Sequence, residues 1–400
     1  MKPFSKIDMG EVTRLTLAGK LAEATALLQG RLRGGVEADS PGPTPDRSTP
    51  LDMTPPRVVG GAWTAPASPP PADEPPQAKP APLVRTLLSL RDRLPRTGAL
   101  SGLGKGLNAQ RPAAPPLPKG ARFEERAFSN DAGTRAYKVY VPSGYIGQPL
   151  PVVVMLHGCT QNPDDFAAGT RMNEIAEEQT FVVAYPQQPR SANMQMCWNW
   201  FKPEDQQRGA GEPSLIAGVA RQVVEEFSAD PSRVYVAGLS AGGAAAAIMA
   251  STYPDVFAAV GVHSGLACGA ARDMPSAFAA MAGNGAVPAA GGRPVPTIVF
   301  HGDADKTVNP VNGDHVAAQA KGGRALSSKV TEGESRDGLR FTRTVYADAT
   351  GAALLEQWAL HGAGHAWSGG SASGSYTDPR GPDASREMIR FFLGHAQGRR

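Results

Sequence analysis

From about residue 121 onward the chain alternates between short apolar runs and longer stretches with helical spacing. The runs are 136–141, PVVVMLHG at 151–158, FVVAYP at 181–186, RVYVAG at 233–238, AAVGVHSG at 258–265, PTIVFHG at 296–302 and ALLEQWAL at 353–360. Each is too short for a helix and rich in β-branched or aromatic residues, so each predicts a buried strand. Between them, 167–179, 214–228, 241–253 and 383–395 predict helices. Strands apolar on both faces, separated by helices, predict an α/β domain over 121–400, its mainly parallel sheet covered on both sides.

Upstream the pattern fails. Leu17, Leu21, Ala24 and Leu28 recur at helical spacing before Gly30, which predicts a helix over 9–30 within an N-terminal segment 1–32. Residues 33–120 are dominated by Pro, Ala, Gly and Ser, as in PASPPPADEPPQAKPAP. Such a segment cannot bury enough apolar surface to offset its chain entropy and predicts a disordered linker. One island interrupts it, with Leu83, Leu87, Leu90 and Leu94 on one helical face and Arg85, Arg91 and Arg93 elsewhere. It reads as a transient helix or as a docking helix, so docking through the N-terminal helices is one expected interaction.

Composition narrows the function classes. A net charge of +3 over 400 residues, with no long Lys/Arg run, gives no ground for a nucleic-acid partner. No apolar stretch reaches the roughly 18 residues that a membrane span needs. The N-terminus MKPFSKIDMGEVTRLTLAGK has no apolar core of the secretory kind. Seven scattered His do not suggest a metal cluster, and Cys159, Cys197 and Cys268 allow at most one internal disulfide.

The chemistry centres on Gly238-Leu239-Ser240-Ala241-Gly242, which follows the strand RVYVA and opens the small-residue helix AGGAAAAIMAS. This is a G-x-S-x-G elbow in strand–turn–helix context, with Ser240 as nucleophile. The glycines leave room for the turn, and Gly243 and the alanines let the helix approach the sheet closely. An acid and a histidine should follow in chain order. PTIVFHGDADKTVNP ends a strand with Asp303 and Asp305; Asp305 is the expected triad acid and Asp303 a turn-fixing residue. After ALLEQWAL, the loop HGAGHAWSGG carries His365, the expected general base, with His361 structural at the strand end. His157, His263 and His301 also end strands and read as loop-shaping residues. Donors for a developing oxyanion are expected from the backbone N–H of Ala241 and of Cys159, with Thr160 as the alternative to Cys159. Trp198, Trp200 and Trp367 sit in loops beside these segments and read either as an apolar wall for substrate or as loop packing. Two-step acyl transfer by such a set requires no metal or organic cofactor.

Taken together, LHGCTQNPDDFAAGTRMNEIAEE, CWNWFKPEDQQRGAGEPSLIAG, DPSRVYVAGLSAGGAAAAIMASTYPDVFAAVGVHSG and GHAWSGG resemble the esterase family of polyhydroxybutyrate depolymerases, close to feruloyl and acetylxylan esterases. The resemblance covers about residues 135 to 395. It implies a triad landing on Ser240, Asp305 and His365, and an ester or polyester substrate of the short-chain 3-hydroxyalkanoate kind. It also implies a disulfide between Cys159 and Cys197, which fall in the LHGC and CWNW segments, and an extracellular setting. A readable signal peptide and a separate polymer-binding domain after His365 are both missing from the pattern, so soluble or amorphous esters are the expected substrates. A feruloyl, acetylxylan or other short-chain esterase is the alternative. A non-catalytic binding protein on a hydrolase scaffold is the reading from a different class.

Overall fold

The computed structural model describes residues 116–285 and 293–398. The helix expected at 9–30, the Leu island at 83–94 and nearly all of the 33–120 linker lie outside the described residues.

Ten strands form one sheet. In chain order they are β1 (Arg122–Asn130), β2 (Gly133–Val141), β3 (Val152–Leu156), β4 (Val182–Pro186), β5 (Val234–Leu239), β6 (Ala259–His263), β7 (Thr297–Gly302), β8 (Ser327–Glu334), β9 (Arg340–Ala347) and β10 (Ala353–Leu360). Their order across the sheet is β1-β2-β4-β3-β5-β6-β7-β10-β9-β8. The segment from β4 to β10 is parallel throughout. Antiparallel strands extend it at both ends, through β2 with β1 and through β9 with β8.

The pleat sorts the apolar runs into two layers. Val152, Val154 and Leu156 of β3 join one core with Val234 and Val236 of β5. Val153 and Met155, with Tyr235, Ala237 and Leu239, join the other. This is why the central runs show no polar alternation: successive side chains face opposite sides, and both sides are covered. Helices α1 (Pro163–Thr170) and α2 (Met172–Gln179), with α7 (Ala384–Leu393), cover the second core. The first is covered by α3 (Gly211–Glu226), α4 (Ala241–Thr252) and α6 (Val311–Lys321). The short α5 (Met274–Ala279) follows β6.

The expected helix over 167–179 is two helices. The first begins earlier, with Pro163 in its first turn and the Asn162 side chain accepting the Asp165 N–H. Arg171 then takes a left-handed backbone conformation, φ 56°, and stops it. The apolar spacing passes through this corner unbroken, so periodicity alone joined the two pieces. The antiparallel edges β1, β8 and β9 were not expected either. Most of β1 and β8 is exposed or half-buried, so neither carries the continuous apolar run by which the central strands are read.

Candidate active site

The C-terminal ends of β3, β5, β6, β7 and β10 lie along one edge of the parallel sheet, where such sheets place their functional loops. Ser240 sits where β5 turns into α4, at φ 57° and ψ −119°, a backbone conformation that non-glycine residues rarely adopt. Its N–H donates to His263 O at 2.9 Å, and its own carbonyl accepts from Ala244 N–H at 2.9 Å. The flanking glycines permit the turn. A β-carbon on Gly242 would stand 2.0 Å from Leu156 O and 2.6 Å from His157 O, and one on Gly238 would stand 2.3 Å from the Gly242 carbonyl. Both close approaches are to backbone, which cannot swing aside.

Past β7, the buried Asp305 accepts a hydrogen bond from His365 Nδ1 at 2.7 Å. Its other oxygen accepts the N–H groups of Thr307 and Val308, at 2.8 and 2.9 Å. His301 Nε2 lies 3.5 Å from Asp305 and 2.9 Å from Val308 O. Burial by itself would raise the Asp305 pKa, but hydrogen bonds from His301 and His365 outweigh it and hold the carboxyl well below its ordinary range. Asp305 is therefore ionised, and because His365 donates from Nδ1, the neutral form of the ring has its lone pair on Nε2. A second acid–imidazole pair stands beside the first: Asp303 accepts from His361 Nδ1 at 2.9 Å and from Gly362 N–H at 2.7 Å. Thr342 Oγ1 holds the other side of the His361 ring at 2.8 Å. Among the described residues no hydrogen bond joins Ser240 to His365. Contacts of this kind are often long in a free site and tighten with substrate.

The loop after β3 packs on the elbow, since a β-carbon on Gly158 would lie 3.7 Å from Ser240 Cβ. In that loop Gly158 N–H donates to Gln161 Oε1 at 2.9 Å and Thr160 N–H to Gln195 O at 2.7 Å. The Thr160 N–H is thus already spent within the protein, whereas among the described residues no hydrogen bond takes up the Cys159 N–H. Ala241 N–H opens α4, where a helix has no internal acceptor for its first donors. Cys159 is joined to Cys197 by a disulfide, with Cα atoms 4.2 Å apart and a separation of 38 in sequence. Cys268 keeps a free thiol.

Behind the disulfide lies a buried polar cluster that sequence reasoning missed. Glu212, in the first turn of α3, accepts from Asn199 N–H and Asn199 Nδ2, both at 2.8 Å, and from Gln188 Nε2 at 2.5 Å. Arg135 donates to Gln188 Oε1 at 2.6 Å. Gln188 N–H in turn donates to His157 Nε2 at 3.1 Å, while His157 Nδ1 donates to Gly158 O at 2.8 Å. No motif marks such a cluster, because its members come from segments far apart in the sequence.

Trp198 and Trp367 do not form an apolar wall. Trp198 is 0% exposed and donates Nε1 to His157 O at 3.0 Å. Trp367 is 1% exposed, packs edge-on to Phe166 and stacks on His263, and donates to Ser385 Oγ at 3.0 Å. Both indoles are closed off by protein and brace the loops from behind. Trp200 is also buried, packed edge-on to Phe201. His263 Nε2 accepts Ser368 N–H at 3.0 Å and so ties the end of β6 to the loop carrying His365.

Comparison with known proteins places these features in a family context. Residues 135–329 match the family model described as Esterase PHB depolymerase. A poly(3-hydroxyalkanoate) depolymerase C of Paucimonas lemoignei is 36% identical over 251 residues, covering 60% of this chain and 60% of that protein. A feruloyl esterase B of Neurospora crassa is 38% identical over 152 residues, 37% of this chain and 50% of that protein. The chain therefore spans only about half to three-fifths of the length of these two relatives. Among solved structures, an acetyl xylan esterase from Aspergillus awamori superposes with a TM-score of 0.55 at 21% identity, over 68% of this chain and 99% of that one, which shows a shared fold.

Two outcomes follow from the geometry. Helix propensity alone would make Gly242→Ala stabilising by about 1 kcal/mol. The approach to Leu156 O and His157 O reverses that sign, and the expected loss is about 3 kcal/mol, measured by urea unfolding. A neutral or stabilised variant would contradict the close approach. The second outcome concerns acid. Burial pushes the imidazoles of His157 and His263 down to about 4 and about 3 from the ordinary 6.5, so the unfolded chain binds protons that the folded protein excludes. Stability from these rings is present above pH 6.5 and is lost as the pH falls toward their folded values. Glu212 opposes this. Burial raises it from 4.5 to about 7, so its contribution is present below pH 4.5 and is lost as the pH rises through 7. Glu212→Gln removes only the opposing contribution. Its unfolding midpoint should fall more steeply than that of the unsubstituted protein between pH 6.5 and 4.5, and parallel pH profiles would contradict the assignment.

Proposed function

Because residues 135–329 match the Esterase PHB depolymerase family model, we propose that this chain is a serine hydrolase of carboxylic esters whose chemistry resides in residues 121–400. The observation that supports the reading is that the strained Ser240 elbow and a His365–Asp305 pair at 2.7 Å follow strands whose C-terminal ends share one edge of the parallel sheet. His365 Nε2 takes the proton of Ser240 as Oγ attacks the ester carbonyl, and then gives it to the departing alkoxide. Asp305, kept ionised by its donors, fixes the imidazole tautomer and stabilises the imidazolium. The N–H groups of Ala241 and Cys159 receive the oxyanion. Water, activated by the same imidazole, then cleaves the acyl-enzyme and releases the acid. The disulfide and the Glu212 cluster support the Cys159 side of this arrangement.

For substrate, similarity to the Paucimonas lemoignei depolymerase over 251 residues supports short-chain 3-hydroxyalkanoate esters. Similarity to the Neurospora crassa feruloyl esterase supports feruloyl or acetylxylan esters as the second reading.

Kinetics on 3-hydroxybutyrate oligomers, methyl ferulate and acetylated xylan test both levels. Ser240→Ala and His365→Ala should each lower kcat on the order of 10⁴- to 10⁶-fold with the fold retained. Activity within about tenfold of the unsubstituted enzyme would overturn the nucleophile or the base. Asp305→Asn should cost far more kcat than Asp303→Asn, since Asp303 serves His361, and the reverse ranking would exchange the two acids. A higher kcat/KM on ferulate or acetylxylan than on the oligomers would favour the second reading.

A further inference from the structure

We propose that Tyr376 is a specificity-determining residue, its ring lying against the chain that flanks the scissile carbonyl of an apolar ester. The inference rests on the site being an ester hydrolase site and adds the contact that selects the ester. Its starting point is an anomaly: Tyr376 is 47% exposed, yet its backbone is left-handed, φ 52°. An exposed aromatic residue has no burial to offset such strain, so the surroundings must hold it there.

They do so from three directions, each belonging to the candidate site. The Tyr376 carbonyl accepts the Trp367 N–H at 2.7 Å, which ties it to the loop two residues past His365. Its neighbour Ser375 is gripped through the loop after β3. Asp165 accepts the Ser375 N–H at 3.0 Å and the Ser375 hydroxyl, and Gln161 Nε2 donates to Ser375 O at 3.0 Å. The same Gln161 accepts Gly158 N–H, one residue before the proposed oxyanion donor Cys159. Finally, the phenol reaches Thr160 Oγ1 at 3.2 Å. Thr160 gives its single hydroxyl proton to Cys159 O at 2.6 Å, so the tyrosine hydroxyl is the donor in that contact.

The ring thus spans from the His365 loop to the oxyanion loop, anchored at its backbone and at its hydroxyl, with much of its surface open. A flat apolar face held in one orientation loses little conformational entropy on contact and suits the alkyl backbone of a hydroxyalkanoate or an aryl group. The buried Trp198 and Trp367 have no such face to offer.

The test compares kcat/KM on a 3-hydroxybutyrate trimer with kcat/KM on p-nitrophenyl acetate. Tyr376→Asn removes the ring with a residue that tolerates left-handed backbone, and Tyr376→Ala checks it. Both should lower the trimer-to-acetate ratio about five- to tenfold, chiefly through a higher KM for the trimer. Tyr376→Phe, which keeps the ring, should hold the ratio within about twofold. An unchanged ratio in both ring-removing variants would overturn the proposal, as would a Phe variant that falls as far as Asn. If the unsubstituted protein hydrolyses neither ester, the ester-hydrolase reading fails instead.

Discussion

The site depends on how closely the first turn of α4 passes beneath the loop after β3. Gly242 lies against the carbonyls of Leu156 and His157, at a separation that leaves no room for a β-carbon. That approach fixes two things together. It forces the chain at Ser240 through a left-handed corner, lifting the side chain off the sheet edge. It also sets the N-terminus of α4 next to the segment that carries Cys159, where we propose that two backbone donors meet the oxyanion. Strain at Ser240 is held by the hydrogen bonds of its own N–H and carbonyl and by the apolar layers on either side of β5.

Around this contact the protein builds rigidity from polar groups rather than from a larger apolar core. The Cys159 loop is tied by the disulfide, by Gln161 and by Thr160 N–H, and it backs onto the Glu212 cluster through His157. Such a cluster costs desolvation and in return specifies one arrangement. The opposing shifts at Glu212 and at the buried histidines mark that cost, since neither kind of group takes its charge easily where it sits. The two acid–imidazole pairs divide the labour on the other side: Asp303 and His361 join the loops that follow β7 and β10, while Asp305 and His365 form the pair that we propose serves Ser240.

Much of this was legible in the sequence, for a physical reason. Strands buried on both faces, such as 152–156 and 234–239, cannot admit a polar residue, and the elbow must carry glycine where backbone meets backbone. The edge strands were hidden because solvent tolerates almost any residue in β8. The break at Arg171 was hidden because a non-glycine left-handed corner has no compositional mark. The tryptophans misled for a related reason: scarcity and position in a loop do not say which way an indole turns, and Trp198 and Trp367 turn inward. Tyr376 carried no signal at all, because its placement arises from Thr160, Ser375 and Trp367, which meet only in the folded chain.

Above all, we propose Ser240 as a nucleophile activated by His365. Intact mass spectrometry after exposure to a serine-directed fluorophosphonate, with peptide mapping of the adduct, tests it most directly. The expected result is one adduct per chain, on Ser240, with its formation slowed when His365 is replaced by Ala. No adduct, or an adduct mapped to another residue, would contradict it.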